Sequence, residues 1–531
     1  MSARAVRLVC GMVWCWVCLG GAALALAAVA VAAEAAEAGA LGAGSSQVTF
    51  GAREVKPPLA LQGGNEAAVT RFAGLLSHDT SPGGNAGRFS SVHAYMEAMW
   101  PGAHGAMDLE FMGEGGASLL YTWAGVDPSL PGVMVIAHLD VVPAEKPERW
   151  EYGPFAGAVA RGFVHGRGAI DVKGVVAGTL EAVEAMAMAG SRPQRTVYLA
   201  FSHDEETGGT GAAATARELK RRGVELALVL DEGGVAVPDA LPGLEGKLAC
   251  LIGVAEKGQA NYGARVRGTG GHASSPPKET PVGILARALA RIETLKLPAR
   301  IDGATRDMLR HAAEVAWENG AWLRSLVYGH AGTWPLSTLV SLALSAHPAK
   351  DAMVRTTVAP TMLSASTQAN VLPVLAAANL NVRPLPGDDP EALREALQRL
   401  AGDTRVEITL DSGGGAPPVS PSEGPAYEYL AKVARRTFGE ASTVALPYLL
   451  MGATDSRHYL AHGVGLGVVY RFLPFRLTPD DVVKYVHGID ERLNVTSYLD
   501  AVHFYQTLFL NLDALRSSPT EETSQESRHE L

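Results

Sequence analysis

The sequence predicts an α/β fold interrupted by a smaller α+β unit. Short apolar, β-rich runs at 133–137, 195–201 and 226–230 each end in acidic or imidazole side chains, the pattern of covered strands in an α/β sheet. Stretches of good helix formers, 175–188 and 210–222, separate them. Beyond residue 256 the rhythm changes. Alternation at 259–266, a helical stretch at 280–295, strands at 360–367 and 376–382, a helix at 390–400 and a strand at 406–410 give the order β-α-β-β-α-β. The glycine- and proline-rich Ser412-Gly413-Gly414-Gly415-Ala416-Pro417-Pro418 then marks a hinge back to the first domain.

A chain of 531 residues is too long for one core. With 47% hydrophobic and 19% charged residues it is globular rather than disordered. A net charge of -10 supplies no basic stripe, which excludes nucleic acid as a partner.

The expected organisation is a leader at 1–33, a linker at 34–65, a main domain in two parts (66–255 and 412–512) around an inserted unit (256–411), and a disordered tail at 513–531. In the leader, Arg4 and Arg7 precede an uncharged apolar run over 8–33 that serves as a signal peptide or a membrane anchor. Either places the body beyond a membrane, so the chain is expected to be exported or membrane-anchored. Three of the four cysteines (Cys10, Cys15 and Cys18) lie in that run. Cys250 alone remains in the body, so no internal disulfide forms there, and a metal site must use imidazole and carboxylate.

The first domain opens with a helical pattern over 66–99, broken by the turn at 81–84, and paired strands at 107–112 and 119–123. The run 133–137 ends in His138-Leu139-Asp140, a histidine with a carboxylate near enough to hold its tautomer. Gly166-Arg167-Gly168-Ala169-Ile170-Asp171 follows, with Asp171 just ahead of a helix, where an ordinary N-cap also stands. The run 195–201 leads into Asp204-Glu205-Glu206-Thr207-Gly208-Gly209, in which one glutamate can bind a metal while the other moves protons. The run 226–230 ends in Asp231-Glu232-Gly233. One acidic strand end is often a solvated loop, but a series with a histidine at the first is not explained by solvation. Ligands in open α/β sheets sit at these carboxyl ends. In the inserted unit, Gly270-Gly271-His272-Ala273-Ser274 is a glycine-rich turn, and the block 302–351 is helical, with packing as its default role. Helices at 426–438 and 496–512 and a loop at Val486-His487-Gly488 complete the chain.

Taken in order, Ala137-His138-Leu139-Asp140, Gly166-Arg167-Gly168-Ala169-Ile170-Asp171, Glu205-Glu206-Thr207-Gly208, Gly270-Gly271-His272-Ala273-Ser274 and His487-Gly488 resemble a co-catalytic di-zinc metallopeptidase family. That family contains aminoacylase, the Gly-X carboxypeptidase and the secreted N-fatty-acyl-amino acid hydrolases, and the Asp231-Glu232-Gly233 form looks most like the carboxypeptidase branch. The resemblance spans about residues 66–512. It implies a zinc-peptidase-like catalytic domain, a ferredoxin-like lid that mediates a homodimer, and two zinc ions per chain. His138 and Asp231 (or its neighbour Glu232) then hold one zinc, Glu206 and His487 the other, and Asp171 bridges them. Asp140 orients His138, and Glu205 is the general base. His272 and Asn370 reach the substrate oxyanion, within the chain or across a dimer, and Arg383 grips the substrate carboxylate. Val172 stands where methionine is common, after a peptide bond often cis in the family. The implied reaction cleaves a peptide or N-acyl amide bond beside a free carboxylate, as a Gly-X carboxypeptidase or as an N-fatty-acyl-amino acid hydrolase/synthase. The block 302–351 is expected to help shape the acyl pocket. The alternative of another class is a non-catalytic small-molecule binding protein.

Overall fold

The computed structural model describes residues 56–83 and 87–516. The expected leader, most of the linker and nearly all of the tail lie outside these residues. Among the described residues, no helix is long and apolar enough to cross a membrane.

Along the chain, β1 (Asp108–Met112), β2 (Ser118–Trp123) and β3 (Gly132–His138) precede the short β4 (Ala158–Ala160) and β5 (Phe163–His165), then β6 (Val197–Ser202), β7 (Leu226–Pro238) and β8 (Leu248–Glu256). Next come β9 (Ala260–Arg267), β10 (Gly271–His272), β11 (Thr357–Ser364), β12 (Val371–Leu372), β13 (Leu375–Arg383) and β14 (Val406–Gly413). The last are β15 (Thr443–Leu450), β16 (Val469–Arg476) and β17 (Arg492–Asn494).

One mixed sheet runs in the order β1-β2-β6-β3-β7-β16-β8-β15. Its middle is parallel, with β3 beside both β6 and β7. Helices cover both faces, which is why β3 reads as an unbroken apolar run. Val133, Val135 and Ala137 enter one core with the helices Lys173–Met188 and Val495–Leu510, whereas Met134 and Ile136 enter another with Thr210–Arg221.

Several strands escaped the sequence reading, β8 and β16 of the main sheet among them, and one was cut short. β8 and β16 lie inside the sheet, yet short apolar runs carry no period that separates strand from buried helix. β7 does not stop at Leu230. It continues to Pro238, exchanging its parallel partner β3 for antiparallel pairing with β8. Gly234 permits this, since a Cβ there would collide with the Leu251 carbonyl oxygen. The β3–β7 pairing ends at Val135 and Leu230, and the crevice beyond is where the site lies.

The second sheet, in the order β11-β13-β9-β14, is antiparallel throughout and carries its own core with the helices Pro281–Thr294 and Pro390–Ala401. Both helices start on a side-chain cap: Thr280 Oγ1 accepts from Gly283 N at 3.1 Å and Asp389 Oδ2 from Ala392 N at 2.8 Å. The block between Pro281–Thr294 and β11 is helical, as expected. Its core, including Met308, Leu309 and Ala312, packs with Ala249 and Leu446 of the main sheet.

Candidate metal centre

His138 ends β3 and is 1% exposed. Its Nδ1 lies 2.9 Å from the carbonyl oxygen of Asp140. A carbonyl only accepts, so Nδ1 donates to it and Nε2 is the nitrogen left to face the carboxylates. Nε2 faces Asp171 Oδ1 at 3.0 Å and Glu232 Oε2 at 3.5 Å. The other oxygen of Asp171 faces His487 Nε2 at 3.1 Å, and Glu206 Oε1 lies 3.1 Å from that same nitrogen. Two three-donor groups therefore share one carboxylate: His138, Asp171 and Glu232, and Asp171, Glu206 and His487. The Asp171–Val172 peptide is cis, with valine in place.

Asp140 does more than steady the imidazole. Its two oxygens accept the backbone N–H of Glu205 at 3.2 Å and of Glu206 at 3.1 Å, tying the loop after β6 to the loop after β3. The carboxylate itself is 3.4 Å from His138 Nδ1, so the orienting contact is the Asp140 carbonyl.

Asp231 does not join the cluster, a correction to the expected ligand. Its Oδ2 accepts from Ser456 N at 2.7 Å and its Oδ1 from Glu232 N at 2.9 Å. Because β7 continues through this point, adjacent side chains leave on opposite faces. Glu232 faces the crevice and Asp231 faces away, towards the start of the helix Ser456–Ala461.

Electrostatics match a cation site. Burial pushes the Glu205 carboxyl up to about 8, with Asp455, Asp171 and Glu206 adding to the rise. Burial and then Asp171 raise Glu232 well above the carboxylate range. His487 is pushed up to about 10 by its bonds to Asp171 and Glu206. Burial opposes a charged His138, yet the carboxylates around it, Glu232 foremost, raise its pKa well above the ordinary value. So many carboxylates in one half-buried pocket call for positive charge. A donor set of imidazole nitrogen and carboxylate oxygen, with the thiol of Cys250 buried elsewhere, fits zinc.

Four of the donor residues, Asp171, Glu206, Glu232 and His487, line a cleft of about 560 Å³. The same lining includes the aliphatic side chains of Ile170, Val235, Leu450, Leu473, Leu477 and Val482. Arg383 lines the cleft as well, donating to Asn381 Oδ1 at 3.2 Å. Arg457, which sequence reasoning left without a role, also lines it, with Nη1 3.7 Å from Glu205 Oε1. The signal for Arg457 was a lone cation in the loop after an apolar run. His272 and Asn370 are not brought to this cleft. They lie exposed on the small β10–β12 pairing, where the Asn370 carbonyl accepts from Ala273 N at 2.9 Å. No residue of 302–351 lines the cleft either, because that block packs on the main sheet; its expected part in the pocket is not seen.

Over residues 134–511 the chain matches the family model described as peptidase family M20/M25/M40. It is 36% identical over 398 residues to the human N-fatty-acyl-amino acid synthase/hydrolase PM20D1, covering 75% of this chain and 77% of that one. It is 32% identical over 433 residues to the probable carboxypeptidase S-like 2 of Dictyostelium discoideum, covering 80% of each. The M20 family metallo-carboxypeptidase Sso-CP2 from Sulfolobus solfataricus shares the fold, with a TM-score of 0.60 at 16% identity over 83% of this chain and 98% of that one. Human carnosine dipeptidase 1 does too, with a TM-score of 0.57 at 14% identity over 84% and 96%.

The class these findings define is a hydrolytic metalloenzyme. The chain belongs to peptidase family M20/M25/M40, as the resemblance of its motifs implied.

Proposed function

We propose that the chain binds two zinc ions and hydrolyses an amide bond between an acyl group and an amino acid with a free carboxylate. The single observation that carries this reading is the cleft whose lining brings together metal-donor residues, aliphatic side chains and two arginines. His138, Asp171 and Glu232 would hold one ion, and Asp171, Glu206 and His487 the other. When bound, such a pair acidifies water and polarises the scissile carbonyl.

Glu205 belongs to neither donor group and reaches into the same cleft. Its place beside both donor groups would let it take a proton from water and pass it to the leaving amine. Arg383 comes from β13 of the second sheet and Arg457 from the helix Ser456–Ala461, and both would grip the substrate carboxylate. Among the described residues, Arg383 donates to the neutral Asn381 and Gln259, which leaves its charge for an incoming anion. The aliphatic side chains in the lining suit a long acyl chain and favour N-acyl amino acids, the chemistry printed in the human relative's name. The Gly-X carboxypeptidase reading draws on the carboxypeptidase S relatives. His272 and Asn370, exposed on the second sheet's side, would serve the oxyanion in the cleft of a second copy, which makes a homodimer part of the proposal. The apolar run at 8–33 supports an exported or anchored enzyme.

The test is a hydrolysis screen of N-acyl amino acids of increasing chain length against Gly-X dipeptides, with and without chelator. The expected outcome is chelator-sensitive cleavage that improves with acyl length. Cleavage untouched by thorough metal removal would refute the metal chemistry, and a preference for dipeptides would favour the carboxypeptidase reading.

A further inference from the structure

We propose that the buried Arg167–Glu491 pair is a positioning device for both donor groups, and that its arginine sets the affinity for the cation held by Glu206 and His487. This rests on the two-cation reading above. Neither residue touches a cation or substrate in that reading.

Glu491 is fully buried, and its carboxylate organises the turn that carries Asp171. Oε2 accepts from Arg167 Nη1 at 2.7 Å and Gly168 N at 2.9 Å. Oε1 accepts from Ile170 N at 2.8 Å and Asp171 N at 3.2 Å. The Glu491 carbonyl accepts from Gly166 N at 3.0 Å. Residues 166–171 are thus wrapped around one side chain. The register that allows it comes from β17, which pairs antiparallel with β5 at Arg492 and His165 and so sets Glu491 beside Gly166.

The arginine holds the other half. While Nη1 binds Glu491, Nη2 donates to the carbonyl oxygen of His487 at 3.2 Å. The guanidinium lies over the Trp150 ring, 5.2 Å from its centroid, and Arg167 is 2% exposed. His487 needs such a tether. Its side chain is 49% exposed, and its backbone sits at φ 60°, a left-handed conformation that few residues with a Cβ adopt. One planar cation therefore spans the two chain segments that must meet: the turn bearing the shared carboxylate, and the loop bearing the most exposed donor. A lysine at this position keeps a charge for Glu491, but a single ammonium on a flexible stem does not reproduce the two-armed fork.

The experiment titrates chelator-treated full-length chain with zinc, following heat by calorimetry and ions per chain by mass spectrometry. In Arg167→Lys, the first ion is expected to bind as in wild type and the second about 10- to 100-fold more weakly, the usual cost of disturbing a group that orients a ligand. Glu491→Gln puts an amide N–H₂ against backbone donors, loosens the 166–171 turn and is expected to weaken both ions. Arg71→Lys is the control. The Arg71–Glu181 pair is buried too, at 2.6 Å, but touches no donor residue, so both ions should bind as in wild type. Arg167→Lys that binds both ions with wild-type affinity overturns the inference, as does an equal loss in Arg71→Lys. If Glu491→Gln fails to fold, Arg167→Lys decides alone. A wild-type chain that takes up fewer than two ions instead refutes the two-cation reading itself.

Discussion

Glu205 is the residue on which turnover depends. It shares the pocket with four candidate ligands but belongs to neither donor group, so its removal separates chemistry from metal binding. Glu205→Gln is expected to keep two zinc ions per chain and to lose about 10²- to 10⁴-fold in kcat, the range for general acid–base catalysis. Steady-state kinetics beside metal analysis checks both halves. A second prediction concerns pH. Glu205 at about 8 lies above its ordinary 4.5, and His487 at about 10 lies above its ordinary 6.5. Both bind protons more tightly folded than unfolded, so their contribution to stability is full below the ordinary values and lost as pH rises through the folded ones. Asp171 is shifted downward, and its contribution changes only in acid, below this window. Chelator-treated protein should therefore melt at a lower temperature at about pH 8.5 than at about pH 5.5, and zinc should stabilise it more at the higher pH, because ligands must shed protons to bind. A melting temperature that rises with pH in chelator contradicts this. At this scale the sequence was informative about which side chains come together: His138, Asp171, Glu206 and His487, each beside a strand end or a glycine, all fall in the two candidate donor groups. It misled at Asp231, where two adjacent carboxylates are told apart only by which face of β7 each occupies.

The element that settles that choice is β7. A strand read as ending at Leu230 leaves Asp231 and Glu232 equivalent, and only the run to Pro238 makes them alternate. The continuation depends on Gly234, packed on the Leu251 carbonyl, beside Gly233 at φ 141°. Gly234→Ala forces β7 and β8 apart and is expected to cost about 1–3 kcal/mol, the usual range for overpacking. It should also weaken the ion held with Glu232, since the displaced residues flank that ligand. Urea unfolding and zinc titration of this variant test the two effects, and wild-type values in both would show that the glycine is not needed for the continuation. Helices and the second sheet were legible because capping residues and alternation mark them, as Thr280 and Asp389 do. β8 and β16 were not, because strands buried on both faces carry no alternation.

At the scale of the whole molecule, the order of the motifs identified the family, but no sequence signal reported which groups meet within one chain. His272 and Asn370 lie exposed and away from the cleft lining. If a second copy supplies them, His272→Ala should lose about 10²- to 10³-fold in kcat with metal content unchanged, as for an oxyanion donor. Mixing His272→Ala with Glu205→Gln chains and allowing exchange should then restore activity, since one site of each mixed dimer regains both groups. No recovery on mixing would place the two residues outside catalysis in trans. The central claim is that side chains scattered from 138 to 487 converge on a pair of cations. Its most direct test is a crystal structure of zinc-loaded protein with anomalous data at the zinc edge. The account predicts two peaks about 3.5–4 Å apart, one beside His138 and Glu232, the other beside Glu206 and His487, with Asp171 between them. A single peak, or a peak ligated by Asp231, would contradict it.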